Sequence, residues 1–390
     1  MTNRSTSLRP VVASFIVFGS FWGAWAVATV DVKDTFHLSD GGLGVLLAVG
    51  VSAAAGLNAL GGVLSDRWGT SKALARALLV WGALLACQAF SPVLAVFAVA
   101  FVLATGAGGL VDVVMNVVSA AAYAAEPGKL VRFHGLFNLG ALLGALLTGA
   151  VLEAGVSWRA AWVTMACCAI VIGVVTLGSR LPRAAPTGYQ SLLRALGSLR
   201  HEGLALLATV FGASAMVEGG ISTWGVLFLR SRLGVSVAGG VGAFVVGTAL
   251  ATITRIGGGP VFGRLGTRRA VLLGAGLAAA GLAVEALARQ PVLAAGGLAA
   301  ATVGISVVWP LLIADVNNEA IHPAIAIGGV TAAGYLGMVA GPPIVGFVSG
   351  AVGLRAGLLV LAATALFVAV TPARVKSRAV RTTAPEAGED

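Results

Sequence analysis

Three ionisable side chains, Asp112, Glu218 and Arg255, lie inside long apolar stretches of this sequence. Removing such groups from water is expensive, which suggests that they do chemistry. A carboxyl group in apolar surroundings can load and release a proton. If its stretch is helical from position 203, Glu218 lies roughly 22 Å along it at ~1.5 Å per residue. We therefore predict that Glu218 first, and Asp112 second, carries a proton. The alternative is a structural Glu218, protonated and bonded to a helix carbonyl.

Asp112 and Asn116 are four residues apart, which places them on one face of a helix. Together they could hold a proton, a cation or a polar group of a ligand. Alternatively, Asn116 could simply join two helices by a hydrogen bond. Arg255 could pair with Asp112, bind an anion, or extend toward water. Among these roles we favour an internal ion pair for Arg255.

Aromatic and amide side chains also occur within the apolar stretches. They could line a binding cavity, although Trp and Tyr collect at membrane interfaces without binding anything. The candidates for the cavity are Trp22, Trp25, Asn116, Asn138, Trp224, Trp309 and Tyr335. Glu285 stands near the end of its stretch, where we expect it to reach water. The four histidines and three cysteines show no ligand spacing, so we predict no metal site and no cofactor.

The composition determines the environment of these residues. Of 390 residues, 58% are hydrophobic and 10% are charged, and the mean hydropathy is +0.97. An average soluble domain has roughly 25% charged residues, so this chain must expose apolar surface to lipid. The net charge of +10 resides in short loops rather than in a basic domain, which argues against a nucleic-acid partner. The sequence therefore predicts an all-α integral membrane protein.

Runs of about 20 apolar residues have the length that crosses a bilayer as a helix. Twelve such spans occur, at positions 11–30, 43–64, 73–90, 93–123, 134–152, 160–177, 203–229, 237–262, 269–287, 292–314, 323–348 and 356–370. A segment rich in Pro and Arg separates span six from span seven. We predict a six-helix bundle at 1–180, a cytoplasmic connector at 181–202, a second six-helix bundle at 203–372 and a disordered cytoplasmic tail at 373–390. A central cavity would lie between the two bundles.

One polar turn occurs twice. Residues 61–72 are GGVLSDRWGTSK and residues 258–269 are GGPVFGRLGTRR, which aligns Gly69 with Gly266 at an offset of 197 residues. This offset is about half the chain and indicates two copies of one membrane unit, hence pseudo-symmetric bundles. Most loop Lys and Arg residues lie on the side of these turns. This side, with both termini, is therefore predicted to be cytoplasmic.

Between spans two and three, residues 62–69 fit the pattern G-x-x-x-D-R-x-G, and Lys72 follows. With twelve spans and a basic central segment, the chain resembles the major facilitator superfamily. Further motifs are similar to an uncharacterised bacterial inner-membrane branch near the fucose-permease-like transporters. These motifs are Asp112-x-x-x-Asn116, Phe133-His134-Gly135, Glu218-Gly219 with Trp224, Gly334-Tyr335-Leu336-Gly337 and Gly341-Pro342-Pro343. The branch often has an acid where this chain has Thr223, and Gly263 stands where the counterpart of Asp66 would be.

The resemblance implies two bundles that rock between alternately open states. It favours a cytoplasmic gate or conformational latch at Gly62, Asp66, Arg67, Gly69 and Arg264, whose contacts form in one state and break in the other. The alternative for these residues is a topology anchor and a turn in which Gly69 supplies backbone freedom.

We therefore expect a secondary active transporter of a small organic molecule, coupled to protons, acting as a monomer in the inner or plasma membrane. A sugar-like or other small polar metabolite is favoured as substrate. A proton-driven exporter of drugs or amphipathic compounds, an uncoupled uniporter and a non-transporting receptor are the alternatives. Because the sequence has no phosphate-binding loop and no nucleophile motif, we expect neither direct ATP use nor enzyme activity.

Overall fold

The structure is a computed structural model that describes residues 7–123, 127–182, 204–319 and 323–371. Within these ranges the chain is helical, with short turns between helices. The helices of the first half are α1 (Arg9–Phe36), α2 (Asp40–Trp68), α3 (Thr70–Ala89), α4 (Leu94–Ala122), α5 (Pro127–Glu153) and α6 (Arg159–Leu177). Those of the second half are α7 (Ala205–Leu233), α8 (Val237–Gly257), α9 (Gly259–Leu265), α10 (Thr267–Leu287), α11 (Pro291–Ser306), α12 (Val308–Glu319), α13 (Pro323–Val352) and α14 (Leu354–Val370).

The predicted all-α membrane architecture is confirmed. Among the described residues, 11 stretches are long and apolar enough to cross a membrane, and α14 adds a shorter apolar helix of 17 residues. The predicted connector lies outside the described residues except for its first two positions. There, the Leu181 N–H donates to Ser71 Oγ and the Thr70 hydroxyl donates to the Pro182 carbonyl, which ties the end of the first half to α3. The predicted tail also lies outside the described residues.

Two predicted spans are broken. Span eight divides at Gly258 into α8 and α9, and span ten divides at Val307 into α11 and α12. Pro260 follows the first break and Pro310 follows the second. Because proline has no N–H and its ring crowds the preceding turn, it ends or kinks a helix, although the first turn of a new helix tolerates it.

The repeated turns have one backbone geometry. Gly69 has φ 78° and ψ 148°, and Gly266 has φ 75° and ψ 153°, so each closes one helix and starts the next. A side chain at either position would be strained, because this region is accessible mainly to glycine. We call the end of the molecule that carries Gly69 and Gly266 the inner end.

The opposite end repeats as well. His37 after α1 and Gly234 after α7 are 197 residues apart, and both have a left-handed backbone. Ser39 then caps α2 and Ser236 caps α8, each accepting from a backbone N–H three residues on. We call this end the outer end. The offset seen in the sequence is therefore a structural repeat.

Glycines allow the helices of each half to approach closely. A Cβ atom at Gly144 would lie 1.9 Å from the Ser20 carbonyl oxygen, between α5 and α1. The matching contact in the second half is between α13 and α7, where a Cβ at Gly341 would lie 2.3 Å from the Met216 carbonyl oxygen. Such contacts replace the hydrophobic driving force that is missing between helices in lipid.

Candidate functional site

Glu218 on α7 and Arg255 on α8 form an ion pair in the second half. Arg255 Nη2 donates to Glu218 Oε1 at 2.8 Å, and Arg255 Nε donates to the Ser306 carbonyl oxygen at 2.7 Å. Both side chains are partly exposed, 27% for Glu218 and 32% for Arg255. The sequence suggested Asp112 as a partner for Arg255, and the structure shows Glu218 instead. The partner was missed because spacing along the chain does not determine how α7 and α8 are rotated.

Asp112 and Asn116 lie together on α4, as their spacing predicts. The Asn116 amide donates at 2.9 Å both to Asp112 Oδ1 and to the Asp112 carbonyl oxygen. Tyr335, on α13 of the other half, lies within electrostatic range of the Asp112 carboxyl and is 45% exposed. The polar pair of the first half therefore lies near a partly exposed tyrosine of the second half.

Three further candidates also keep partial exposure. Asn138 on α5 donates to Thr252 Oγ1 on α8 at 3.4 Å, which joins the two halves at mid-height. Trp22 and Trp309 are half-buried, and the ring centroid of Trp309 lies 4.4 Å from that of Phe211 on α7. These positions are compatible with a cavity lining.

The structure corrects two of the proposed cavity residues. Trp25 is 1% exposed and packs on Phe101, with ring centroids 4.9 Å apart, inside the first bundle. Trp224 is fully buried and its indole N–H donates to the Pro342 carbonyl oxygen at 3.0 Å. Both indoles fill helix contacts, so neither lines a cavity in this structure.

Glu285 also differs from expectation. Instead of reaching water, it is fully buried on α10, beside Gly225 of α7 and Gly297 of α11. Its two carboxyl oxygens have no hydrogen-bond partner among the described residues. The small side chains around it leave room for a carboxyl group, but close it off from solvent.

The predicted latch residues lie at the inner end. Asp66, Arg67 and Arg264 are exposed, Gly62 belongs to α2, and Gly69 makes the turn described above. Within the described part of the chain, no ion pair involves Asp66 or Arg67. The latch therefore stays a prediction about another conformation.

An ionic contact at the outer end was not predicted from the sequence. Arg230 Nη1, on α7, donates at 2.6 Å both to Asp31 Oδ2 and to the Val27 carbonyl oxygen on α1. Arg232 lies 3.3 Å from Asp40, which also pairs with Lys33. The 197-residue offset contained a signal, since it aligns Arg230 with Lys33 but Asp31 with Phe228. Acids present in only one half can pair with bases of the other.

Two repeated halves of membrane helices, with charged side chains between and within them, are the architecture of many membrane transporters. The sequence profile of the Major Facilitator Superfamily matches residues 11–324, so the chain belongs to that superfamily. Its members are transporters, not enzymes.

Similar proteins support this assignment. An uncharacterised MFS-type transporter of Yersinia pestis is 28% identical over 353 residues, covering 86% of this chain and 87% of that protein. The membrane protein MosC of Rhizobium meliloti is 26% identical over 368 residues, covering 94% and 89%.

Solved structures share the fold. An inward-facing, occupied bacterial homologue of the human lysosomal transporter Spinster has a TM-score of 0.73 at 14% identity, covering 93% of this chain and 94% of that one. A D-xylose–proton symporter has a TM-score of 0.72 at 16% identity, covering 94% and 98%. The resemblance to the fucose-permease-like branch stays a prediction.

Proposed function

We propose that this protein is a proton-coupled secondary transporter of a small polar organic molecule, with Glu218 as the proton carrier. The observation that carries the proposal is the partly exposed ion pair of Glu218 and Arg255 within an apolar bundle. An acid held by one arginine has two states. The ionised carboxylate pairs with the guanidinium. The protonated carboxyl group is neutral and releases the guanidinium. A change of that kind at a site reached from one side at a time can couple proton movement to conformation.

The arrangement of contacts supports an inner-open state. Cross-bundle contacts close the outer end, where Arg230 and Arg232 meet Asp31 and Asp40 and where a Cβ at Gly44 would lie 2.9 Å from Gly346 Cα. Tyr335, near Asp112, remains 45% exposed. With the inner end cytoplasmic, as the loop charges predict, the site faces the cytoplasm in this state.

Polar groups around the space between the halves favour a substrate with hydroxyl groups. Asp112, Asn116, Asn138 and Tyr335 supply hydrogen-bond acceptors and donors, as a sugar-like or other polar metabolite would require. The similarity to a D-xylose–proton symporter concerns the fold alone, yet it agrees with this class.

The proposal is tested in proteoliposomes with an imposed pH gradient and pooled radiolabelled sugars, polyols and nucleosides. One pH unit is ~1.36 kcal/mol, so coupling to one proton supports about tenfold accumulation. Glu218→Gln is expected to reduce accumulation to equilibration while retaining substrate exchange without a gradient. Ser222→Ala, one turn further along α7, is the matched control and should accumulate substrate like the wild type.

Gradient-driven accumulation that Glu218→Gln leaves intact would overturn the coupling role. Equilibration by the wild type, independent of pH, would instead identify a uniporter. Proton release driven only by amphipathic drugs would identify an exporter.

A further inference from the structure

The break in span ten leaves one backbone carbonyl without its helical donor. In a continuous helix the N–H of residue 310 would donate to the carbonyl of Ser306, but Pro310 has no N–H. The helix accordingly ends at Ser306 and restarts at Val308. Away from water, an unbonded carbonyl is costly, so a donor from elsewhere is required.

Arg255 supplies that donor. Its Nε–H bonds the Ser306 carbonyl at 2.7 Å, while Nη2 of the same planar group bonds Glu218 at 2.8 Å. A guanidinium is a rigid fork, so its two contacts cannot adjust independently. One side chain on α8 thus fixes the position of α7 and the break in span ten together.

The segment beyond the break carries Trp309, a residue predicted to line the central cavity. Trp309, in the first turn of α12, packs on Phe211 of α7, and a Cβ at Gly334 of α13 would lie 3.3 Å from its ring. A cavity of ≈ 400 Å³ adjoins the break and is lined by Arg255, Val307 and Pro310 together with residues of α9 and α10. This cavity leaves space for α12 to tilt.

We infer that Arg255 is a positioning residue that transmits the charge state of Glu218 to the break in span ten, and so sets the tilt of α12. The inference rests on the proposed function. With Glu218 ionised, Arg255 is held at both ends and the break is fixed. When Glu218 takes up a proton, the ion pair is lost, the guanidinium can leave Ser306, and α12 can pivot at Val307.

Several other charged or titratable groups lie on the helices around α7. The described helices packed against it carry Arg9 at the inner end of α1, Asp31, Lys33 and Asp34 at its outer end, Asp315 and Glu319 on α12, Tyr335 on α13 and Arg355 at the outer end of α14, and Glu285 lies beside Gly225. Of the described residues, Arg255 forms the ion pair with Glu218. A pH response at the break is assigned to this pair if Glu218→Gln abolishes it while the other groups are unchanged.

The test measures the tilt of α12 against its own bundle. Spin labels at Ala314→Cys on α12 and Arg268→Cys on α10, with the three native cysteines replaced by alanine, report one distance in full-length protein in nanodiscs. The wild-type background is expected to give different distance distributions at pH 4 and pH 8, on either side of the ordinary carboxyl range. Glu218→Gln should give the acidic distribution at both pH values.

Two variants test whether Arg255 transmits the charge state of Glu218 to the break in span ten or only stabilises the break. In Pro310→Ala the new N–H can bond Ser306, so one narrow, pH-independent distribution is expected although Glu218 and Arg255 remain. In Arg255→Lys the ammonium can pair with Glu218 but lacks the rigid fork, so the pH-dependent shift should shrink by more than half. This second variant keeps Pro310 and decides the matter if Pro310→Ala fails to fold.

Parallel transport assays separate this inference from the proposed function. If the wild-type distance ignores pH while accumulation follows the proton gradient, the inference is wrong and the proposed function stands. If the distance between the labels follows pH as described but transport does not depend on the proton gradient, the proposed function is wrong. The inference then describes only a conformational response of α12 to pH. An unchanged pH shift in both Pro310→Ala and Arg255→Lys would also overturn the inference.

Discussion

The two halves of the molecule share the same turns and helix caps, but in the described part of the chain only the second half has broken membrane helices. The same turns, caps and glycine contacts recur 197 residues apart, yet α2 and α4 are unbroken where spans eight and ten are split. At the repeat positions of Pro260 and Pro310 the first half has Val63 and Val113. Residues that both halves keep set the turns and caps, and each break is followed by a proline that the first half lacks at the repeat position. We infer that the second half is the more deformable one.

The difference extends to the charges beside the breaks. The counterpart of Arg255 is Asn58, and the counterpart of Glu218 is Phe21. The first half thus lacks both the proline that frees a carbonyl and the arginine that satisfies it. A break in a membrane helix is tolerated only where neighbours satisfy the freed backbone groups, so these residues belong together as a set.

The largest predicted effect is a loss of folded protein when the break of span ten is copied into the first half. Val113→Pro removes the N–H that bonds the Gly109 carbonyl, and the arginine found beside the second-half break is missing from the repeat position. Proline inside a helix costs ~3 kcal/mol or more. We expect most of the protein to be lost from the monodisperse fraction on detergent gel filtration.

Val113→Ala is the control, because alanine keeps the N–H and is expected to leave a monodisperse peak. If Val113→Pro folded with the thermal stability of Val113→Ala, the role of Arg255 as the companion of the break would be refuted.

The two halves also differ in the charges at the outer end. Lys33 and Arg230 are repeat counterparts, and each pairs with an acid of the first half. The second half offers Phe228 and Val237 where the first has Asp31 and Asp40. In the first half the Lys33 pair stays inside one bundle, whereas the Arg230 pair joins the two bundles. We expect this asymmetry of the acids to contribute to closing the outer end.

Arg230→Ala is expected to have an effect of intermediate size, on the equilibrium between outer-closed and outer-open states. Arg230 is 9% exposed and lies 2.6 Å from Asp31, whereas Arg232 is 51% exposed and lies 3.3 Å from Asp40. Loss of the buried pair should favour outer-open states by about 1–3 kcal/mol, or roughly 5- to 150-fold. Arg232→Ala, the matched control, should shift the equilibrium about fivefold at most.

The measurement is the rate at which an impermeant thiol reagent, added from the outer side, labels Tyr335→Cys in a background free of native cysteines. The double exchange Asp31→Arg with Arg230→Asp should restore slow labelling. Equal rates for Arg230→Ala and Arg232→Ala would show that burial of the pair does not govern closure.

Much of the fold could be predicted from the sequence. Hydropathy located the spans, and the turn at Gly69 revealed the repeat because its backbone requires glycine twice. The break in span ten was missed although Pro310 was visible, since apolar length alone does not reveal whether a neighbour satisfies the freed carbonyl. The partner of Arg255 and the burial of Trp25 and Trp224 depend on helix rotation. Spans that are apolar on every side do not encode that rotation in their pattern.

The smallest effect is expected at the inner end, where the halves differ by one acid. Asp66 in the first half corresponds to Gly263 in the second, and Asp66 is exposed in this state. If Asp66 bonds only when the inner end closes, Asp66→Asn should leave the thermal stability of the inner-open state unchanged. Transport should slow measurably, by about two- to fivefold, as the loss of one exposed charged contact allows.

The second half supplies the matched variant. Gly263→Asp places an acid at the repeat position, beside Arg264 as Asp66 is beside Arg67. If the latch is a local property of the turn, Gly263→Asp should recover part of the rate lost in Asp66→Asn. If the latch requires a partner that only Asp66 can reach, the double variant should be as slow as Asp66→Asn. A rate in Asp66→Asn equal to the wild type would leave the turn as a topology anchor, with Gly69 as its essential residue.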